Sequence, residues 1–291
     1  MPYLMLIIGA LSVSSSSVFC SLYNKNNKEE QASTTFYNMA FVCCGFLCWT
    51  ILFLINRTFD WRIWWYALIF AVCYTACNYG FIEAIKTGSI TFTTLLLQLS
   101  FICVPIWGFF FWDTKFTLFV WIGLALVAIS LALCLYKGKE KTGKDRKIQL
   151  KWLFFALLAF IGNAGCSIIQ RTQQINYNGQ YGAFFMVLSM GLSSIIGIII
   201  CLQRKGFSNK QILRRKWYFP VLAGAFNALQ HVTIIYLVST SLSPSLIYPS
   251  TAVGGLIVTT IFSTIVFKEK MRWWQWIGVV LGAAAIGVLM L

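Results

Sequence analysis

The chain has 291 residues, of which 59% are apolar, 17% aromatic and only 11% charged, against about 25% charged residues in soluble domains. A soluble globule of this size needs a charged surface, so the composition excludes one and calls for lipid around most of the chain. The formal net charge of +15 does not mark a nucleic-acid binder, because the basic residues fall in short stretches between apolar runs and form no groove with interleaved aromatics.

Apolar runs of about 20 residues, the length that crosses a bilayer as a helix, predict an all-α integral membrane protein with ten transmembrane helices. They fall at 3–22, 35–56, 64–85, 90–111, 116–136, 152–170, 181–202, 218–238, 245–267 and 273–291, numbered spans 1 to 10. The connections are short, so neighbours run antiparallel. Met1-Pro2-Tyr3 enters apolar sequence without the basic opening or cleavage site of a secretory signal, and span 1 is expected to be retained.

Polar residues in lipid are costly unless they face a cavity or a partner, so polar stripes mark the expected solute path. In span 3, Tyr74 and Asn78 lie one turn apart, followed by Glu83 and Lys86 at i,i+3 spacing. That spacing fits an ion pair at the interface, and Glu83, the carboxylate inside a span, is also a candidate for proton or cation coupling. Span 4 offers Gln98. In span 6, Asn163, Ser167, Gln170, Arg171 and Gln174 lie on one helical face. Arg171 either recruits a carboxylate or phosphate by paired hydrogen bonds, or snorkels to head groups or pairs with a loop carboxylate.

Span 8 places Asn227 and His231 one turn apart, with Gln230 beside them. His231 is a candidate for solute binding or proton transfer, or a structural hydrogen bonder. In span 9, Tyr248, Ser250 and Thr251 correspond to Gln98 in span 4, and Pro105 and Pro249 interrupt the backbone bonding of those two spans. The expected cavity therefore lies between spans 1, 3, 4, 6, 8 and 9. Gly278-x-x-x-Gly282 gives span 10 a smooth face that docks on span 5 or forms a dimer contact.

The ten cysteines fall in or beside apolar runs, where they act as small hydrophobes. With His231 as the single histidine, no metal site is expected, and no cofactor is. The many Trp at span ends, such as Trp61, Trp64, Trp65, Trp112, Trp152, Trp217 and Trp273, read as interface anchors.

Of the 23 basic residues, 19 fall in loops 1-2, 3-4, 5-6, 7-8 and 9-10, leaving Arg57, Arg62, Lys115 and Arg171 on the other side. Cytoplasmic loops carry the basic excess, which puts those loops in the cytoplasm and both termini outside. Trp121-Ile122-Gly123 of span 5 recurs as Trp276-Ile277-Gly278 of span 10, an offset of 155, and Phe111-Trp112-Asp113 recurs as Phe267-Lys268-Glu269 with an offset of 156. A repeat of five spans is an odd number, so the second copy, 151–291, enters the membrane inverted relative to the first, 1–150.

On these residues, and on the small-residue tail Leu281-Gly282-Ala283-Ala284-Ala285, the chain resembles the drug/metabolite transporter superfamily in its ten-span EamA-type branch, over nearly its whole length. Asp113 stands where such proteins often have Glu. The resemblance implies two five-helix halves about a central cavity, worked by alternating access. In the related four-span multidrug pumps a first-helix carboxylate couples protons, and span 1 contains neither Asp nor Glu.

The expected activity is that of a secondary transporter of a small organic metabolite or drug-like solute, not an enzyme. The expected partners are that solute and a bilayer, such as the bacterial plasma membrane, with the chain a monomer or weak homodimer. The alternatives are a membrane enzyme acting on a lipid-linked substrate, or a non-transport scaffold. No Gly-Lys-Ser/Thr phosphate loop occurs, which excludes an ATPase within the chain.

Overall fold

In lipid a backbone must satisfy its own hydrogen bonds, so long apolar runs become helices. A computed structural model describes residues 2–24, 31–87, 90–112, 117–135, 146–207, 216–240, 242, 244–266 and 272–289, and among these it is all-helical, without a strand. Spans 1 to 3 are α1 (Pro2–Asn24), α2 (Gln31–Asn56) and α3 (Trp64–Thr87), the last preceded by a 3-10 turn. Span 4 is broken into α4 (Ile90–Leu99) and α5 (Cys103–Phe111) by a 3-10 turn at Ser100–Ile102. Then follow α6 (Leu118–Leu135), α7 (Arg146–Asn176), α8 (Gly182–Gln203), α9 (Tyr218–Val238), α10 (Pro244–Val266) and α11 (Trp273–Leu289).

Six of these elements, α1, α2, α3 with its turn, α7, α8 and α9, are long and apolar enough to cross a membrane, and the chain is an integral membrane protein. Their surface is inverted relative to a soluble bundle. Ile55, Phe110 and Ile195 are exposed, whereas Ser14, Thr34, Ser130 and Ser189 are buried. The hydroxyls survive there by bonding back along their own helices, as in Ser12 Oγ to Ile8 O at 2.7 Å and Ser189 Oγ to Phe185 O at 2.7 Å.

Small residues set the closest helix crossings. A Cβ at Gly162 on α7 would stand 2.6 Å from Cys73 O on α3, and one at Gly80 on α3 would stand 2.7 Å from Phe155 O on α7. Either side chain would force these backbones apart. Gly282 on α11 faces Ser130 and Val253, and Ser130 Oγ donates to Gly278 O at 2.6 Å. The smooth face of span 10 is therefore used inside the molecule, against span 5.

Two features depart from the expected pattern. α7 outruns its apolar stretch at both ends, beginning at Arg146 and ending at Asn176. Trp152 is not a simple interface anchor, since its Nε1 donates to Thr93 Oγ1 at 3.0 Å and ties α7 to α4. The repeated motif at Phe267-Lys268-Glu269-Lys270-Met271, its counterpart Asp113 with Lys115, and most of the basic loop residues lie outside the described residues.

Candidate substrate cavity

The break in span 4 precedes Pro105, which has no N–H to return to the carbonyl one turn back. The freed polar groups are taken up from α7, where Asn163 Nδ2 donates to Ser100 Oγ at 2.7 Å and to Leu97 O at 3.4 Å. Ser100 Oγ in turn donates to Leu97 O at 2.5 Å. Asn163 thus holds the interrupted span against the centre of the bundle. Pro249, by contrast, sits within the unbroken α10, where Thr251 Oγ1 donates to Ile247 O and Tyr248 O at 3.0 and 2.9 Å.

Beside the break lies a cavity with about 810 Å³ of empty space, part of it open at the mouth. α1 contributes Ser16, Ser17 and Cys20, and α2 contributes Tyr37, Asn38 and Phe41. Tyr74, Cys77 and Asn78 come from α3, with Leu97 and Phe101 from the broken span. α7 presents Asn163, Ser167 and Gln170, and α9 presents Asn227, Gln230 and His231. Among the described residues the lining includes α2, which the sequence did not point to, and none from α10, where span 9 was expected to contribute.

The polar groups are joined into a chain. Tyr74 Oη donates to Asn227 Oδ1 at 2.6 Å, and Asn227 Nδ2 approaches Gln230 Oε1 at 3.5 Å. His231 Nδ1 lies 3.2 Å from Gln170 Oε1. With that carbonyl oxygen accepting, Nδ1 is the donor of the pair. Phe70 and Tyr74 pack edge-on to this imidazole at 5.8 and 6.1 Å between centroids. Three shielded amide atoms, Asn38 Oδ1, Asn78 Nδ2 and Gln170 Nε2, have no hydrogen-bond partner in the protein.

Of the residues singled out in the sequence, Asn78, Asn163, Ser167, Gln170, Asn227 and His231 meet in this cavity. The others have different surroundings. Arg171 Nη1 donates to Val238 O at 3.0 Å, at the C-terminal end of α9, where unpaired carbonyls carry partial negative charge. Gln174 donates to the Gln173 side-chain oxygen, and Gln173 Nε2 to Gln180 O at 3.0 Å, which staples the turn between α7 and α8. Tyr248 is fully buried on α10 against Phe101. Glu83 lies 4.0 Å from Lys86 Nζ in a largely buried pair, one residue beyond the cavity-lining Ile82. Gln98 belongs to α4, and its side chain lies outside the described residues.

Sequence reasoning missed Asn38, Tyr37 and the serines of span 1. The available signal at Asn38 is an amide near the start of an apolar run with Thr34 and Thr35 one turn before it, a polar face that reads equally as the end of the span. The serine run at 14–17 was legible but reads equally as helix packing.

Comparison with known proteins follows this geometry. No curated protein matches the chain. Solved structures do, 28 chains in all; one crystal structure superposes with a TM-score of 0.65 at 11% identity, covering 96% of this chain and 95% of its own. That likeness shows the fold. Residues 1–136 match the family model described as EamA-like transporter family, although the motif that carried the resemblance most specifically stands in the second half. Over those residues the chain is similar to the EamA-like transporters, in keeping with the drug/metabolite transporter superfamily.

Proposed function

We propose that this protein is a secondary transporter that carries a small organic solute by alternating access, with the cavity as its solute site. The observation that carries the reading is the cavity itself. Inside a lipid-facing bundle, buried amides and hydroxyls converge from α1, α2 and α3 of the first half and from α7 and α9 of the second. Such groups are costly in an apolar interior unless they have a ligand to meet.

The ten-span inverted repeat, 1–150 and 151–291, is supported by the packing. α3 packs on α7 as α9 packs on α1, and α1 packs on α10 as α7 packs on α4. α2 meets α9 as α8 meets α3, while α2 with α8, α6 with α11 and α4 with α10 pair across the halves. Exchanging spans 1 to 5 with spans 6 to 10 returns each of these pairs. Rocking of one half against the other would then expose the shared cavity alternately. The site sits in a plasma membrane with the basic loops cytoplasmic, and the internal use of the Gly278 and Gly282 face favours a monomer.

A membrane enzyme would need an activated nucleophile or paired carboxylates at the site, and the described cavity lining has no carboxylate. The test is counterflow in proteoliposomes loaded with a metabolite library. Exchange of labelled solute that requires the protein supports transport. Chemical conversion of the solute without exchange would sink it.

A further inference from the structure

We infer that the cavity takes an uncharged, planar heteroaromatic solute with an amide-like edge, the chemistry of a nucleobase, a nucleoside or a pyridine carboxamide. The inference deepens the transport reading and rests on it for the passage of the solute.

Three observations carry it. The first is the set of unsatisfied atoms. Gln170 is 2% exposed, its Oε1 is engaged by His231, and its Nε2 is a buried donor without a partner. Asn38 Oδ1 supplies an unpartnered acceptor, and Asn78 Nδ2, on the neighbouring helix, supplies a donor that lies toward Tyr74. Both of these residues also line the smaller cleft between α2, α3 and α8, so they stand at one place on the wall. An acceptor beside a donor pairs with the N–H and C=O of a lactam or carboxamide, and buried amide groups of this kind are rarely left without a partner.

The second is the aromatic wall. Tyr37, Phe41 and Tyr74 follow one another with near-parallel rings, 15° and 13° apart, at centroid distances of 6.0 and 6.4 Å. All three line the cavity. They offer extended flat surface to a planar ring.

The third is charge. No Lys, Arg, Asp or Glu is among the described lining residues. Arg171, on the same helix as Gln170, is not among them and gives its Nη1 to Val238 O, with Nε buried beside it. A phosphate, a carboxylate or an organic cation entering this site would lose its hydration and find no opposite charge. The inference therefore departs from the reading in which Arg171 recruits a carboxylate or phosphate.

The experiment uses the purified full-length protein in nanodiscs, with binding measured by isothermal titration and thermal shift. The neutral probes are adenosine, inosine and nicotinamide; the charged ones are AMP, nicotinate and ethidium. At least one neutral probe is expected to bind, with its charged relative weaker by about 100-fold. Gln170→Leu and Asn78→Leu should each weaken the neutral probe by about 10-fold or more, while Arg171→Gln leaves it within about 2-fold. Gln170→Glu, which keeps the size of the side chain, should weaken it too and covers the case of a misfolded leucine variant.

Equal or tighter binding of AMP, nicotinate or ethidium overturns the inference, as does unchanged affinity in the Gln170 and Asn78 variants or silence from every neutral probe. A neutral probe that binds through Gln170 but shows no counterflow would remove the transport reading and leave the site. Counterflow of a charged solute would do the opposite.

Discussion

Arg171 and Glu83 show how a charge in an apolar helix is settled by its nearest partner. Arg171 spans the gap from α7 to the last carbonyls of α9, a charge-assisted bond to a helix end. Arg171→Gln should therefore lower stability by about 1 kcal/mol, read as a drop of a few degrees in thermal unfolding, without abolishing solute exchange. Loss of exchange with unchanged melting would return Arg171 to the solute path. Glu83 is paired with Lys86 directly behind Ile82 of the cavity wall, and protonation of the carboxylate would break that pair. If it couples transport to protons, Glu83→Gln keeps counterflow but loses accumulation driven by a pH gradient. Retained accumulation would exclude Glu83 and leave His231 as the other coupling candidate at the cavity.

At the scale of elements, the positions of helix axes rest on a few glycines and one broken span. Gly162→Ala would place a methyl 2.6 Å from Cys73 O and 2.7 Å from Cys77 N. Backbone cannot yield as a flexible side chain can, so the α3–α7 crossing must open. Overpacking of this kind costs about 1–3 kcal/mol. Gly45→Ala is the matched control, because its methyl would meet only Met190 Sδ at an ordinary 3.8 Å. Similar melting of the two variants would contradict the crossing. The break in span 4 is anchored by Asn163. Asn163→Leu leaves Ser100 and Leu97 without their α7 donor and should reduce solute binding as well as stability, which parallel titration and melting would read. A loss of stability alone would confine Asn163 to packing.

For the whole molecule, the proposed inverted repeat predicts orientation, since an inverted pair must carry opposite loop charges to settle in a membrane. A reporter fused after span 10 tests this directly. Alkaline phosphatase should be active there and green fluorescent protein dark, the reverse of fusions in the loop between spans 5 and 6. Equal behaviour at both places would remove the ten-span orientation.

The apolar composition and the run lengths were enough to determine that this is a helical membrane protein, because covering a chain that has too little charge leaves lipid as the solvent. Helical period was enough to align Asn163, Ser167 and Gln170, because residues three and four apart share a face whatever surrounds the helix. Which face meets which neighbour is a property of the folded bundle. Only the tertiary structure decided that Arg171 reaches α9 while Gln170, beside it in the chain, lines the cavity, since adjacent residues on a helix point about 100° apart. It likewise placed Asn38 on the cavity wall and Tyr248 against Phe101. Periodicity marks a polar face, but whether that face meets a cavity or a neighbouring helix is set by contacts made across the bundle.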